Sequence, residues 1–239
     1  MLRPARLNGS RLFLAPYCAL LGISLCAVAN VPPVLARSTP GPIIDAIPAD
    51  GATITYRKVF KTSFPEFVEI KLNAAGVGTY DIRQLDEEST PQPMQVSVAL
   101  AQRVFELAAQ LHDFQGVDLE VHRRLANLGE KTFTYQKGPE THSTSFNYTL
   151  DESATQLVNL FEGLSKQAVD VSDLMRTMRY DHLGVNDVLL QIEKDFDTKQ
   201  LPEPERLLPA LDQVAGDDKL VDIARQRARN LASRIRNGR

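Results

Sequence analysis

The sequence has very little of the residue types that build many reactive sites. It contains no tryptophan and two cysteines among 239 residues, and both cysteines, Cys18 and Cys26, lie near the N-terminus. The chain beyond them offers no disulfide, no cysteine nucleophile and no thiolate ligand for zinc or an iron–sulfur cluster. A chain of this length can bury enough apolar surface to fold without such crosslinks.

The motifs of common nucleotide and hydrolase sites are also missing. The sequence has no G-x-x-x-x-G-K-[ST] phosphate loop and no G-x-S-x-G nucleophile elbow. Gly76-Val77-Gly78 has the spacing that begins a dinucleotide-binding loop, but Asp81 stands at the third glycine position and the pattern predicts a strand after it. We interpret these glycines as a hairpin turn.

The first 36 residues have the pattern of an export signal. Three arginines and no acidic residue occupy the first eleven positions, and an apolar run follows at residues 12–29. Small residues then give two candidate cleavage sites, after Ala29 and after Ala36. This order predicts a secretory signal peptide over residues 1–36, and therefore a periplasmic or secreted protein. Cleavage at either site would leave a mature chain without cysteine.

An uncleaved membrane anchor is the alternative interpretation. The apolar run of 18 residues approaches the length of about 20 that a spanning helix needs. Pro16 and Gly22 interrupt the run and a cleavage region follows it, which favours removal. We therefore expect no stable membrane span after cleavage. Lipidation of Cys26 is not favoured, because Ile23-Ser24-Leu25 precedes it where a small residue is needed.

Charge and composition limit the class of protein. Loss of Arg3, Arg6 and Arg11 with the signal would leave 24 basic and 30 acidic residues, so the formal charge would move from −3 to −6. A negative chain is a poor match for the phosphate backbone, so we expect no nucleic-acid partner. With 43% hydrophobic and 24% charged residues, the mature chain has the composition of a globular protein.

Residues 37–52 are rich in proline and small residues, and we interpret them as a flexible spacer. Alternation of apolar and polar residues over 53–64 predicts a half-buried strand, and two β-hairpins are predicted at 68–85 and 131–150. Successive hairpins imply an antiparallel sheet of about five strands. With amphipathic helices packed against it, this sheet would make residues 53–168 a domain of the α+β class.

Two amphipathic helices are predicted to cover the sheet. Ser97 can cap a helix that runs to about His112, and a short helical piece is predicted at residues 121–128. The spacing of Ser153 and Gln156 predicts a capping box at the start of the second helix. The apolar stripes of these two helices are Leu100, Val104, Leu107 and Leu111, and Leu157, Leu160, Phe161 and Leu164.

Residues 169–239 are predicted to be a helical C-terminal region with a break near residues 201–206, where Leu201-Pro202-Glu203-Pro204 stops a helix. The last helix is predicted over residues 219–237. Its buried stripe is predicted to contain Leu220, Ile223, Ala224, Ala228, Leu231 and Ile235. Arg227 and Arg234 flank this stripe, and Arg225, Arg229 and Arg236 lie on the far side.

No catalytic, cofactor-binding or metal-ligating residue is assigned from the sequence, and no cofactor is implied. The four histidines have no metal-site spacing, although two adjoin an aspartate: His112, His122, His142 and His182. We interpret them as ordinary partly buried residues. The acidic cluster Asp86-Glu87-Glu88 is interpreted as a solvated loop.

One part of the chain resembles a group of uncharacterised exported bacterial proteins. The resemblance covers residues 54–164 and is carried by YRKVFKTSFPEFVEIKLNAAGVGTYDIRQLDEES and by VFELAAQLHDFQGVDLEVHRRLANLG after it. It implies a small sheet-and-helix domain with no assigned activity. It transfers no catalytic residue to this chain.

Three functions remain open from the sequence. The first is a non-enzymatic exported domain that binds an envelope or extracellular macromolecule through its sheet face or its helical tail. The second is an exported hydrolase whose carboxylates or histidines are brought together only by folding. The third is a structural envelope protein held by an uncleaved anchor. Convergent acids with shifted pKa values would favour the enzyme, and an exposed apolar patch would favour binding.

The signal-peptide prediction is tested by the N-terminus of the protein produced in its native host. We expect intact-mass spectrometry to find a chain that begins at Asn30 or Arg37. Recovery of full-length chain from salt-washed membranes would contradict this prediction and favour the anchor.

Overall fold

The computed structural model describes residues 51–238, which form an antiparallel sheet followed by helices. The predicted signal peptide at 1–36 and all but the last two residues of the predicted spacer lie outside the described residues. The predicted α+β class, with a helical C-terminal segment, is confirmed. Among the helices of residues 51–238, none combines the length and the apolar character needed to cross a membrane.

The sheet has six strands in the order β4-β3-β2-β1-β5-β6, and every neighbouring pair is antiparallel. The strands are β1 Thr53–Val59, β2 Phe67–Asn73, β3 Val77–Arg83, β4 Gln92–Gln95, β5 Glu130–Lys137 and β6 Glu140–Phe146. Strand β4 is one more than the about five strands expected from the sequence, which predicted no strand between residues 85 and 97. It lies at the edge of the sheet, where Pro93 removes no interior hydrogen bond.

Both predicted hairpins are present. The turn between β2 and β3 contains Gly76, whose φ of 79° is readily adopted by glycine. The Asn73 side chain accepts hydrogen bonds from the backbone N–H groups of Ala75 (3.0 Å) and Val77 (2.9 Å), which fixes this turn. The second hairpin ends earlier than predicted, because β6 stops at Phe146 and not at Leu150.

One face of the sheet carries the hydrophobic core. Ile54 and Tyr56 of β1 are fully buried, and the neighbouring strands add apolar residues in register with them. The Tyr56 ring lies 5.2 Å from the Phe161 ring and 5.6 Å from the Phe133 ring, measured between centroids. Phe114 stacks on Phe133 at 5.2 Å. This aromatic cluster joins the central strands to the helices that cover them.

Helix α1 (Val98–Gln110) begins as predicted at Ser97, whose hydroxyl accepts a hydrogen bond from the Leu100 N–H at 3.1 Å. Its predicted apolar stripe is buried. The predicted helical piece at 121–128 is wrong, because this segment is irregular. Leu125 and Leu128 are exposed, and the Asn147 side chain instead bonds the backbone of residues 126 and 128.

Helix α2 (Glu152–Tyr180) is 29 residues long. The predicted capping box is wrong, because Asp151 is the N-cap and its carboxylate accepts a hydrogen bond from the Ala154 N–H at 2.8 Å. Ser153 lies inside the helix and donates to Gln110 at 2.7 Å. A carboxylate at the cap also interacts favourably with the positive end of the helix dipole. The spacing of Ser153 and Gln156 did not indicate that Asp151 would take this position.

Helices α3 (Val185–Asp197), α4 (Leu208–Gly216) and α5 (Asp222–Arg236) complete the fold. They form a second hydrophobic cluster with the end of α2, from Leu174 onward, whereas the cluster under the sheet ends at Leu164. Helix α2 runs through the predicted boundary at residue 168 without a break. It therefore contributes to both clusters.

The proline-containing break is joined to α1 and α2 through Glu203, which is 7% exposed. The Glu203 side chain accepts a hydrogen bond from the Ser97 N–H at 2.7 Å, at the start of α1. Its backbone carbonyl accepts from Gln167 of α2 at 2.6 Å. One buried glutamate thus links the break to both helices that cover the sheet.

The last helix follows most of the predicted pattern. Ala224, Ala228, Leu231 and Ile235 are buried, but Ile223 is 58% exposed, so its place in the stripe is wrong. Ile223 follows the first residue of α5, where no other described helix covers it. Arg227 and Arg234 form ion pairs with Glu193 of α3 at 2.7 and 3.0 Å.

Gly163 allows α2 to approach the segment that contains the break. A Cβ atom built at Gly163 would lie 2.7 Å from the Gln200 carbonyl oxygen and 2.7 Å from Pro202 Cγ. Both distances are shorter than a side chain accepts. The absence of a side chain at this position therefore sets the spacing between α2 and residues 200–202.

We expect Gly163→Ala to lower the free energy of unfolding by about 1–3 kcal/mol, because the added methyl group must displace backbone. Urea unfolding measures this change. Gly216→Ala is the matched control, since Gly216 also lies in a helix and nothing stands within 4 Å of its added Cβ. The control should lose no stability and gain up to about 1 kcal/mol. Equal effects at the two positions would contradict the close contact at Gly163.

Candidate functional site

A cleft of about 750 Å³ lies beside Gly163, between the sheet and the segment that follows α3. We name it the β1–α2 cleft. Its walls come from the end of β1, the loop at 60–66, one face of α2, and residues 199–202. The volume is in the range of small-molecule and peptide-anchor sites. Its polar lining residues include Lys58, Glu66, Glu162, Lys166, Asp170 and Lys199.

The loop at 60–66 is held by its own hydrogen bonds. The Ser63 hydroxyl lies 2.7 Å from the Phe60 carbonyl oxygen and 2.5 Å from that of Pro65. The Glu66 carboxylate accepts from the backbone N–H groups of Thr62 and Leu85, and these bonds lower the pKa of Glu66. The loop places Phe64, which is 89% exposed, at the rim of the cleft.

An ion pair lies at one end of the cleft. The Lys58 ammonium donates to Glu162 Oε1 at 2.7 Å, and the Tyr56 hydroxyl donates to the same oxygen at 3.1 Å. Burial, and then the Glu162 charge, raise the pKa of Tyr56, so this hydroxyl stays a donor. Glu162 is therefore occupied by two groups of β1.

Lys58 and Glu162 also line a second cavity, of about 330 Å³, on the other side of the ion pair. Lys131 lies in its wall and is 8% exposed. The Lys131 ammonium donates to three backbone carbonyls, those of Leu128 (3.3 Å), Gly129 (3.1 Å) and Asn147 (2.9 Å). We interpret Lys131 as the residue that holds these loops, since its three donors all have partners.

Two buried carboxylates, Asp195 of α3 and Asp170 of α2, lie beside Lys166 of α2. Asp195 is 2% exposed, and its carboxylate forms an ion pair with Lys166 at 2.9 Å and accepts a hydrogen bond from the Gln191 amide at 3.0 Å. Asp170 is 7% exposed and lies one helical turn after Lys166, and its Oδ2 atom is buried with no hydrogen-bond partner. Within residues 51–238, no cation lies within 4.0 Å of the Asp170 carboxylate.

The environment of Asp170 shifts its acidity. Burial raises the pKa of Asp170 to about 6, Lys166 opposes the shift, and the negative charges of Asp195 and Asp173 add to it. A buried carboxylate without a partner is unfavourable, and such groups concentrate at functional sites. Asp170 can accept a hydrogen bond or receive a positive charge from a ligand in the cleft.

The four histidines do not converge on this cleft. His112 is exposed in the left-handed turn that follows α1, and His182 is exposed after the end of α2. His122 is exposed and pairs with Asp118 at 2.7 Å, which raises the pKa of His122. His142 stacks on Tyr135 at the far edge of the sheet. Across residues 51–238, no three histidine, aspartate or glutamate side chains form a group that could hold a metal ion.

The acidic cluster Asp86-Glu87-Glu88 is exposed on the loop between β3 and β4, and its residues are not part of the cleft lining. The Glu87 carboxylate bonds the Gln84 N–H at 2.8 Å, so part of the cluster is used to hold its own loop. The solvated-loop interpretation describes these residues well.

No protein-family model matches this chain, and no curated protein matches it.

The cleft residues were missed by the sequence interpretation, although the sequence holds a signal for some of them. Glu162, Lys166 and Asp170 recur every four residues on a helix that is buried on several sides. This spacing places three charged groups in a row on one helix face. Their partners Lys58 and Asp195 lie far away in the chain, so only the fold identifies which charge remains unpaired.

We expect Asp170→Asn to change how stability depends on pH. The pKa of this group is 3.8 unperturbed and about 6 in the fold, so between these values the native state binds more protons and stability falls as pH rises. The variant lacks this loss. Its free energy of unfolding, relative to the unsubstituted protein, should rise by about 2 kcal/mol between pH 4 and pH 8.

Urea unfolding at the two pH values measures this difference. Asp218→Asn is the matched control, because Asp218 is exposed and should show no comparable change. An Asp170→Asn effect that is identical at pH 4 and pH 8 would show that the carboxyl is not destabilised by its surroundings.

Proposed function

We propose that this chain is an exported, non-enzymatic binding domain whose β1–α2 cleft receives part of a protein partner in the cell envelope or the extracellular space. Phe64 is the observation that carries the proposal. A phenylalanine that is 89% exposed contributes little to the stability of its own fold. On a loop held by internal hydrogen bonds and at the rim of a cleft, it is an aromatic anchor that needs little ordering on binding.

The arrangement of charges in the cleft also supports binding. Lys58 is paired with Glu162, and Lys166 is paired with Asp195. These pairs leave a surface that is already ordered before a partner arrives. The export part of the proposal is supported by the basic segment, the apolar run and the small-residue sites of the first 36 residues.

A carboxylate hydrolase is the second candidate, favoured by the raised pKa of Asp170 in the cleft. Such chemistry commonly uses two carboxyl groups, one as acid and one as base or nucleophile. Glu162, the other carboxylate of the α2 wall, already accepts hydrogen bonds from Lys58 and Tyr56. Asp195 is likewise held by Lys166 and Gln191. Glu66 of the cleft lining accepts hydrogen bonds from the backbone N–H groups of Thr62 and Leu85. Because all three carboxylates are held by other groups, binding is the better-supported function.

The binding proposal is tested by affinity capture from the native envelope with mature protein cleaved at its natural site. The protein is immobilised as the unsubstituted chain, as Phe64→Ser and as Leu183→Ser. Leu183 is the matched control, because it is 76% exposed in the turn between α2 and α3 and is absent from the cleft lining. Neither substitution should alter the fold, which unfolding curves verify.

We expect quantitative mass spectrometry to find proteins that the unsubstituted chain and Leu183→Ser retain equally. Phe64→Ser should retain them about tenfold less or worse, because loss of an aromatic anchor costs about 2 kcal/mol or more. Equal recovery with all three proteins would overturn the role of the cleft.

A further inference from the structure

The buried carboxylate of Asp170 indicates which chemical group the cleft receives. Asp170 lines the cleft, is 7% exposed, and has an Oδ2 atom without a hydrogen-bond partner. Leaving a buried acceptor unpaired is unfavourable, and more so when the group is charged. Native structures keep few such groups. A positive group that approaches the carboxylate from the cleft would offset the cost of its poorly solvated charge.

The other acidic groups of the cleft, and its half-buried lysine Lys166, already have partners within the protein. Glu162 is neutralised by Lys58 at 2.7 Å, and Glu66 is occupied by two backbone N–H groups. Lys166 is neutralised by Asp195 at 2.9 Å. Asp170 is therefore the acidic side chain of the cleft lining that no described residue satisfies.

The sign of the charge favours a cation. Lys199 is exposed on the rim, where water screens its charge, and the paired lysines carry little net field. A raised pKa of about 6 still leaves Asp170 mostly ionised at pH 7. A positive group that enters the cleft gains a charge-assisted hydrogen bond to a carboxylate that water reaches poorly, which makes that bond strong.

Part of the cleft lining is apolar. Phe64 at the rim and Phe60 beside it form a surface next to the charged wall of α2. A polypeptide that carries a basic side chain near an aromatic or aliphatic one would contact both the Asp170 carboxylate and this apolar surface. A small inorganic cation would contact only the carboxylate.

We propose that the β1–α2 cleft recognises a basic side chain of its protein partner, with the ammonium or guanidinium group at Asp170 and a neighbouring apolar side chain against Phe64. This inference rests on the proposed binding function and specifies its ligand chemistry. Lysine and arginine are the two sources of that chemistry, and the peptides below distinguish them.

The probes are four blocked peptides of the form acetyl-Phe-Gly-X-Gly-amide, in which X is lysine, arginine, Nε-acetyllysine or norleucine. Each is titrated at pH 7 into 15N-labelled mature protein, and amide shifts of residues 165–170 and 199–201 report binding in the cleft. We expect the lysine or the arginine peptide to bind at least tenfold more tightly than the two uncharged peptides. The tighter of the two identifies the source of the cation.

The same titrations are made with Asp170→Asn and with Asp218→Asn. The first variant should bind all four peptides with equal, weak affinity, so the tenfold preference disappears. The second should keep the preference, because Asp218 is exposed and is not part of the cleft. Asp170→Asn removes a destabilising charge, so a failure to fold is not expected, and the unfolding curves described above verify this.

Three results would overturn the inference: the norleucine peptide binding as tightly as the charged peptides, Asp170→Asn retaining the preference, or no peptide shifting the cleft amides at millimolar concentration. These are distinguishable from failure of the binding function. If the cleft is a binding site for another chemistry, Phe64→Ser still loses captured proteins while the peptides show no charge preference. If the cleft binds nothing, Phe64→Ser captures the same proteins as the unsubstituted chain.

Discussion

The close approach of α2 to residues 200–202 is the contact on which the other features depend. Helix α2 packs its first half on the aromatic cluster of the sheet and its second half among the C-terminal helices. A glycine at position 163 permits the approach, because a Cβ atom there would meet backbone and proline atoms at 2.7 Å. The Gln167–Glu203 hydrogen bonds lie one turn farther along the same helix. The cleft is the space left beside this contact.

Three carboxylates near the cleft show how the surroundings set the behaviour of one chemical group. Glu162 accepts from a lysine and a tyrosine, and Asp195 accepts from a lysine and an amide. Asp170 has a buried oxygen without a partner, and burial raises its pKa to about 6. Because a desolvated charge without a partner is unfavourable, Asp170 is the group of the three with free energy to gain from a ligand.

Local patterns predicted the elements whose burial follows a simple period. The strand pairing of both predicted hairpins and the burial of the apolar stripe of α1 from Leu100 onward are confirmed. The pattern at 121–128 was wrong, because helical spacing alone supplies no surface for Leu125 and Leu128 to pack against. At the start of α2, the spacing of Ser153 and Gln156 predicted the wrong cap, because the carboxylate of Asp151 bonds the first turn instead. The spacing of the charged residues along α2 was visible in the sequence, but it did not show which of these charges is paired in the fold.

The sequence by itself determined an antiparallel sheet followed by helices, because apolar periodicity and turn residues act within short stretches of chain. It also determined that cysteine chemistry is absent beyond residue 26. Tertiary structure alone decided that Lys58 meets Glu162, that Lys166 meets Asp195, and that Asp170 meets neither lysine closely enough to form an ion pair. Pairing of charges depends on distances between residues up to 104 positions apart, and such distances are set by packing, which no local pattern contains.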